Sequence, residues 1–101
     1  MKIIETALQV LNDEIDGINL LKKFFDSNFE DAVKTIFDSN GKVVVTGVGK
    51  SGHVGRKISA TLSSTGTPSF FIHPTEASHG DMGIIEKNDV ILAISWSGET
   101  T

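Results

Sequence analysis

Apolar residues between Ile4 and Phe25 fall at Ile4, Leu8, Leu11, Ile15, Ile18, Leu21 and Phe25. Steps of three and four place them on one stripe of a helix. Gly17 weakens the helix in that stretch by up to about 1 kcal/mol relative to alanine, which leaves room for a kink or break there. Ser27, followed three residues later by Glu30, has the form of a capping box. Behind it, Phe29, Ala32, Val33, Ile36 and Phe37 define a second, shorter helix. Asn40-Gly41 is expected to end it, because both residues tolerate left-handed backbone.

The pattern then changes from helical period to short apolar runs. Val43-Val44-Val45 is β-branched and does not alternate, as expected of a strand covered on both faces. A glycine-rich loop, Gly47–Gly52, follows it. Val54, Ile58 and Leu62 recur at four-residue spacing and predict a helix, closed by Gly66 and Pro68. Ser69–Ile72 reads as a second strand and Asp89–Ile94 as a third. The order helix, helix, strand, helix, strand, loop, strand is that of a parallel α/β sheet. Residues 1–40 form the helical part and residues 41–101 the sheet part, with no repeat or linker between them. The third strand leads into Ser95-Trp96-Ser97-Gly98-Glu99-Thr100-Thr101, which reads as a loop feeding a helix. A three-stranded sheet without that crossover helix leaves one face partly bare. The chain is therefore expected to be a fragment, a truncated sequence, or a piece completed by another chain.

Composition narrows the function classes. Apolar residues make up 39% of the 101 and charged residues 22%, ordinary for a globular domain. No apolar run approaches the ~20 residues of a membrane span, and the first residues form no signal peptide. The absence of cysteine excludes a disulfide framework, a thiolate nucleophile and a cysteine-ligated zinc site in this sequence. A cytoplasmic protein without a membrane partner is the expectation. The net charge of −4 is unevenly spread. Residues 1–40 and 81–101 are acidic, while residues 41–80 carry four basic groups against one acid and hold His53 and His73 together with His79. An acidic chain with a locally positive middle suits a small anionic ligand and not nucleic acid, whose expected partner is a basic face.

Two loops have the chemistry to hold such an anion. Gly47-Val48-Gly49-Lys50-Ser51-Gly52 matches G-x-G-x-x-G between a strand and a helix. Glycines let backbone N–H groups approach an anion, and the helix start adds positive potential. A dinucleotide site also needs an acid near the end of the next strand. Here that strand ends Phe71-Ile72-His73-Pro74, and the first acid is Glu76. A P-loop would need glycine at position 44, which is Val44. What remains is a general anion loop in which Lys50 supplies charge, and Ser51 either donates to the ligand or caps the helix. The second loop, Ser95-x-Ser97-Gly98-x-Thr100, sets three hydroxyls at the C-terminal end of a strand, where ligands of open α/β sheets collect. Between the loops, His73, Glu76, His79 and Asp81 are either a metal set or ordinary structural side chains. His79 in His79-Gly80-Asp81 is the better acid/base candidate, with Asp81 able to fix its tautomer.

Together these segments resemble the sugar isomerase (SIS) domain and, within it, the arabinose 5-phosphate isomerases. The likeness rests on VVVTGVGKSGHVGRKISATLSSTGTPSFFIHPTEASHGDMG from Val43 and on DVILAISWSGET from Asp89, and the two N-terminal helices resemble that family's start. It implies a three-layer, doubly wound, flavodoxin-like α/β fold, of which residues 41–101 would be the first half, truncated at Thr101. It also implies interconversion of D-ribulose 5-phosphate and D-arabinose 5-phosphate through an enediol, toward the Kdo sugar of lipopolysaccharide. Ser95, Ser97, Thr100 and Ser51 would hold the phosphate, Gly66 and Thr67 would contact substrate, and His79 would reach its hydroxyl and carbonyl end. Lys50 matches the family's functional lysine. His73 matches a position where a divalent metal such as zinc binds and inhibits, no cofactor being required. A homodimer or homotetramer is implied. The family's catalytic glutamate lies just past the SGET segment and its second histidine much later, so neither position exists in these 101 residues, and Glu99 is not that glutamate. The segment alone is therefore expected to be inactive. Two alternatives share the likeness: a non-catalytic sugar-phosphate-binding regulatory module, and an isomerase of a hexulose phosphate.

Overall fold

The computed structural model describes residues 2–78 and 81–95, the side chains of 77, 78, 81 and 82 excepted. It divides into two compact units, residues 1–34 and 35–101. The first contains helix α1, Ile3–Leu20, a 3-10 turn at Leu21–Phe24, and the start of helix α2, Ser27–Asp38. Gly17 produces no break, since α1 runs unbroken past it to Leu20. The N-cap of α2 is Asp26 and not Ser27. The Asp26 carboxylate accepts from the N–H groups of Asn28 (3.1 Å) and Phe29 (3.2 Å), so the capping box is displaced by a stronger cap one residue earlier. The apolar stripe is present but unburied: Leu8, Leu11, Ile15 and Ile18 are 54%, 56%, 46% and 64% exposed, and α1 and α2 have no buried residue.

The second unit is a parallel sheet of β1, Val43–Gly47, β2, Ser69–Phe71, and β3, Val90–Ile94, in the order β2-β1-β3. Val43 pairs with Ser69 on one side and Val90 on the other. Val43, Val44 and Val45 are almost fully buried although alternate residues face opposite sides, so β1 is covered on both faces as its uniform β-branched run predicts. Each buried valine contributes roughly 1.5–3 kcal/mol. Ile72 completes the buried apolar set.

Helix α3, Lys50–Ser64, joins β1 to β2. The sequence stripe Val54, Ile58, Leu62 is not its buried face: Val54 is 53% exposed, and the buried positions are Gly52, Gly55 and Ser59. A Cβ at Gly55 would come within 3.0 Å of Phe71 and 3.1 Å of Val45, and one at Gly52 within 2.8 Å of the Gly47 carbonyl oxygen. Small residues let the helix backbone approach the sheet, and the larger apolar residues flank that contact. Ser59 donates to Ser69 Oγ (2.9 Å), because the Ser69 hydroxyl hydrogen is already given to the Val43 carbonyl (2.7 Å). At the far end of α3, the Thr67 N–H bonds the Leu62 carbonyl (2.8 Å) and the Gly66 N–H that of Ser63 (3.4 Å), a Schellman stop in which Gly66 takes φ 100°. Asn40-Gly41 uses no left-handed residue; Gly41 is small because the Asn88 carbonyl lies against it.

The N-terminal edge of the sheet is locked by Asp89. Its buried carboxylate accepts the Lys42 and Glu86 N–H groups, both at 2.8 Å, and lies 3.4 Å from the Lys42 ammonium. Those backbone donors, Glu86 first, and then the ammonium hold its pKa below the ordinary carboxylate value. A helical turn, α4 (Pro74–Ser78), and a 3-10 turn, Asp81–Ile84, lie between β2 and β3. No described helix is long and apolar enough to cross a membrane.

Candidate functional site

In strand order β2-β1-β3, chain connections leave β1 toward opposite sides, and the crevice outside the C-terminal ends of β1 and β3 is where open α/β sheets take ligands. Gly47 is paired with Ile94 there, so the loop after β1 and the loop beginning at Ser95 start side by side. The sequence separates these loops by more than forty residues, and the register joins them. Ser97 and Thr100 lie outside the described residues, as does His79.

Gly49 is the N-cap of α3 with φ 61° and ψ −129°, a conformation open to glycine at little cost. This turn is what starts the helix directly at Lys50. No side chain caps α3, so Ser51 does not cap it, and the Ser51 hydroxyl bonds to no described residue. It sits half-buried in the first helical turn beside the Lys50 and Ser51 N–H groups, which have no backbone partner among the described residues, while those of Gly52 and His53 bond the Val48 and Gly49 carbonyls. A helix start of this kind is a donor set for an anion. Lys50 is exposed and forms no ion pair with a described residue.

A cavity of about 210 Å³ opens against this loop, lined by Gly47, Gly49, Gly52, His53, Arg56, Phe71 and His73. It is far larger than the ~10–15 Å³ one water requires. His73 is half-buried, and its Nδ1 accepts the Thr75 N–H at 3.1 Å, so the ring caps α4 with Pro74 at the first helical position. That bond leaves the neutral ring's proton on Nε2. A metal taken at Nε2 would move the proton to Nδ1 and break the cap, the reverse of the usual ligand arrangement in which the second nitrogen donates. No group of three potential metal ligands occurs among the described residues.

Gly66 and Thr67 do not join this cluster within one chain. They precede β2 at the N-terminal edge of the sheet, where the Pro68 carbonyl accepts from Val43, and α3 of 15 residues separates them from Ser51 by about 20 Å. Gly66 is explained there by the helix stop. The composition and motif reading passed over His53, Arg56 and Phe71. Their signal was available, since His53 and Arg56 stand at i and i+3 on the helix that opens from the glycine loop. Phe71 is found only through the fold, because its ring sits beneath Gly52 and Gly55.

Comparison with known proteins agrees with this geometry. A family model described as SIS domain matches residues 35–101. Arabinose 5-phosphate isomerase KdsD of Francisella tularensis is 50% identical over 101 residues, covering 97% of this chain and 31% of that protein. Its namesake in Yersinia pestis is 55% identical over 96 residues, covering 95% of this chain and 29% of that protein. A solved structure from Escherichia coli CFT073, in complex with arabinose 5-phosphate, superposes with a TM-score of 0.87 at 45% identity over 97% of this chain and 52% of its own. The chain thus spans about a third of the length of these curated relatives and about half of the solved one. The match over residues 35–101, together with the parallel sheet, places this chain in the SIS domain family.

Proposed function

We propose that this chain is the front part of an aldose–ketose isomerase that interconverts D-ribulose 5-phosphate and D-arabinose 5-phosphate. The observation that supports the reading most is the pairing of Gly47 with Ile94, which brings the start of the glycine-lysine loop beside Ser95 at the switch point of the sheet. Identity of 50% and 55% to arabinose 5-phosphate isomerases over nearly the whole chain supports the choice of sugar.

The reaction removes a proton from C1 of the ketose. The C–H electron pair forms the C1–C2 double bond, and the carbonyl π pair moves onto O2. Return of a proton to C2, with transfer of the O1 proton to O2, gives the aldose. No electrons leave the substrate, so no redox cofactor is needed. The oxyanion at O2 needs a cation or donors in place before it forms. Lys50, at the start of α3 and without an ion pair to a described residue, would be that cation. The hydroxyls of Ser51 and Ser95, with Ser97 and Thr100, would hold the phosphate end, and His79 would move protons at the carbonyl end. The family's glutamate base belongs to sequence beyond these residues. A product as soluble and anionic as this sugar phosphate suits a cytoplasmic pathway such as Kdo synthesis.

The test is an isomerase assay on a full-length protein carrying this segment, with D-arabinose 5-phosphate and D-ribulose 5-phosphate and with a hexulose phosphate as control. Interconversion of the pentose phosphates is the expected result. Tight sugar-phosphate binding without turnover would replace it with the regulatory module.

A further inference from the structure

Of the residues lining the cavity, Arg56 is the one permanent cation and the only arginine of the chain. It is also the one whose position has no structural explanation so far. Its guanidinium carbon lies 4.2 Å from the centroid of the Phe71 ring. A cation at that distance is attracted to the ring face, a contact that uses none of the guanidinium's N–H donors in a conventional hydrogen bond. The platform beneath is fixed. Phe71 belongs to β2, and its ring fills the space left by the missing side chains of Gly52 and Gly55. A long, exposed side chain is thereby restrained at the mouth of the cavity.

Its charge meets no carboxylate among the described residues. Arg56 makes no ion pair with a described residue, and no carboxylate is among the lining residues, where His53 and His73 are the other titratable groups. Nor does α3 carry an acid anywhere between Lys50 and Ser64. Among its described lining residues the cavity is therefore one-signed, and the forked donor of Arg56 matches the geometry of a phosphate, which a guanidinium can bind through two parallel N–H···O bonds.

We propose that Arg56 is a specificity-determining residue of this site, binding the phosphate group of the ligand and so selecting the phosphorylated sugar over the free one. The inference rests on the sugar-phosphate reading above and adds to it a charged contact at the phosphate end, Lys50 being assigned to the oxyanion. Neutral hydroxyls and backbone N–H groups supply hydrogen bonds, and Arg56 supplies the full charge that separates a phosphate from a neutral sugar. The Phe71 ring acts as a positioning surface for that charge.

The experiment uses a full-length protein carrying this segment, in wild-type, Arg56→Lys and Arg56→Gln forms. Inorganic phosphate binding is measured by calorimetry, and kcat and KM for D-arabinose 5-phosphate are measured alongside. Glutamine keeps a good helix former on an exposed helical position, so folding is expected to survive, and circular dichroism checks it. For Arg56→Gln, phosphate affinity is expected to fall, and KM to rise, by about tenfold or more, the scale of a lost charge-assisted pair, with kcat changed far less. Lysine should recover part of the loss. In the wild type, phosphate should protect the Arg56 peptide from phenylglyoxal, read by mass spectrometry, whereas arabinose should not. Unchanged phosphate affinity and KM, or a loss confined to kcat, overturns the proposal, as does labelling that phosphate leaves undiminished. Phosphate binding that depends on Arg56 in a protein without isomerase activity would leave this inference standing and remove the proposed reaction.

Discussion

The two edges of the sheet are built on opposite terms. At the N-terminal edge nearly every polar group is satisfied within the chain. Asp89 accepts two backbone N–H groups and faces an ammonium, the Ser39 hydroxyl bridges the Gly41 N–H and the Asn88 carbonyl, and the Schellman bonds close α3 at Gly66. At the C-terminal edge the chain leaves groups unused. Ser51 bonds to no described residue, the buried Thr46 Oγ1 has no hydrogen-bond partner among them, and Lys50 and Arg56 have no described counter-charge. A polar group left unmatched costs stability. Of these only Arg56 lines the cavity, while Thr46, Lys50 and Ser51 belong to the end of β1 and the start of α3 beside it, an arrangement understandable as a site that is completed by a ligand, whereas the saturated edge holds the strands in register.

That contrast can be broken at either edge. The largest effect is expected from Lys50→Ala in a full-length protein carrying this segment. It should lower isomerisation by about a hundredfold or more, the scale of a lost charge or acid–base group, with the melting temperature unchanged. An assay of turnover beside a thermal melt decides it, and near-normal turnover would remove Lys50 from the mechanism. Next is Gly52→Ala, whose Cβ would sit 2.8 Å from the Gly47 carbonyl oxygen. Pushing α3 from β1 should cost about 1–3 kcal/mol in denaturant unfolding and disturb the cavity as well.

Asp89 sharpens the comparison through pH. Its folded-state pKa lies below the ordinary value of 3.8, so its stabilisation is complete above that value and is lost as pH falls through the lower folded-state value. Acid unfolding should therefore be steeper in the wild type than in Asp89→Asn. The asparagine form should be the less stable near neutrality, while the two converge in strong acid. The smallest effect on stability is expected from Ser51→Ala, within about 0.5 kcal/mol, since its hydroxyl holds nothing in the fold. The same change should raise KM for the sugar phosphate, a separation of binding from stability that titration and melting would show together.

Much of this was readable from residue patterns. The run Val43-Val44-Val45 announced a strand buried on both faces, and Gly66 and Pro68 marked the end of α3. The helix-opening loop was visible in Gly47–Gly52 because turns and helix starts are local and their residue types are restricted by backbone conformation. Where the reading failed, a competing local or tertiary interaction won. Ser27 lost its cap to Asp26, whose carboxylate accepts two N–H groups. The apolar stripe of α3 lost the interface to Gly52, Gly55 and Ser59, because close approach to Phe71 and Val45 favours the absence of a side chain over the presence of a large one. Periodicity reports where apolar groups lie and says nothing about how near two backbones can come.

The same distinction applies to the site. By itself the sequence determined the elements, the two anion-suited loops and the candidates Lys50, Ser51 and His73, since each depends on residue type and short spacing. Only the tertiary structure decided which of them meet. The β1–β3 register brought Gly47 and Ser95 to one crevice, while the length of α3 carried Gly66 and Thr67 to the opposite edge. It also brought Arg56 onto Phe71, two residues with no mutual signal along the chain. Contacts of that kind are set by strand order and by the direction in which a helix crosses the sheet, and neither is encoded in any one stretch of residues.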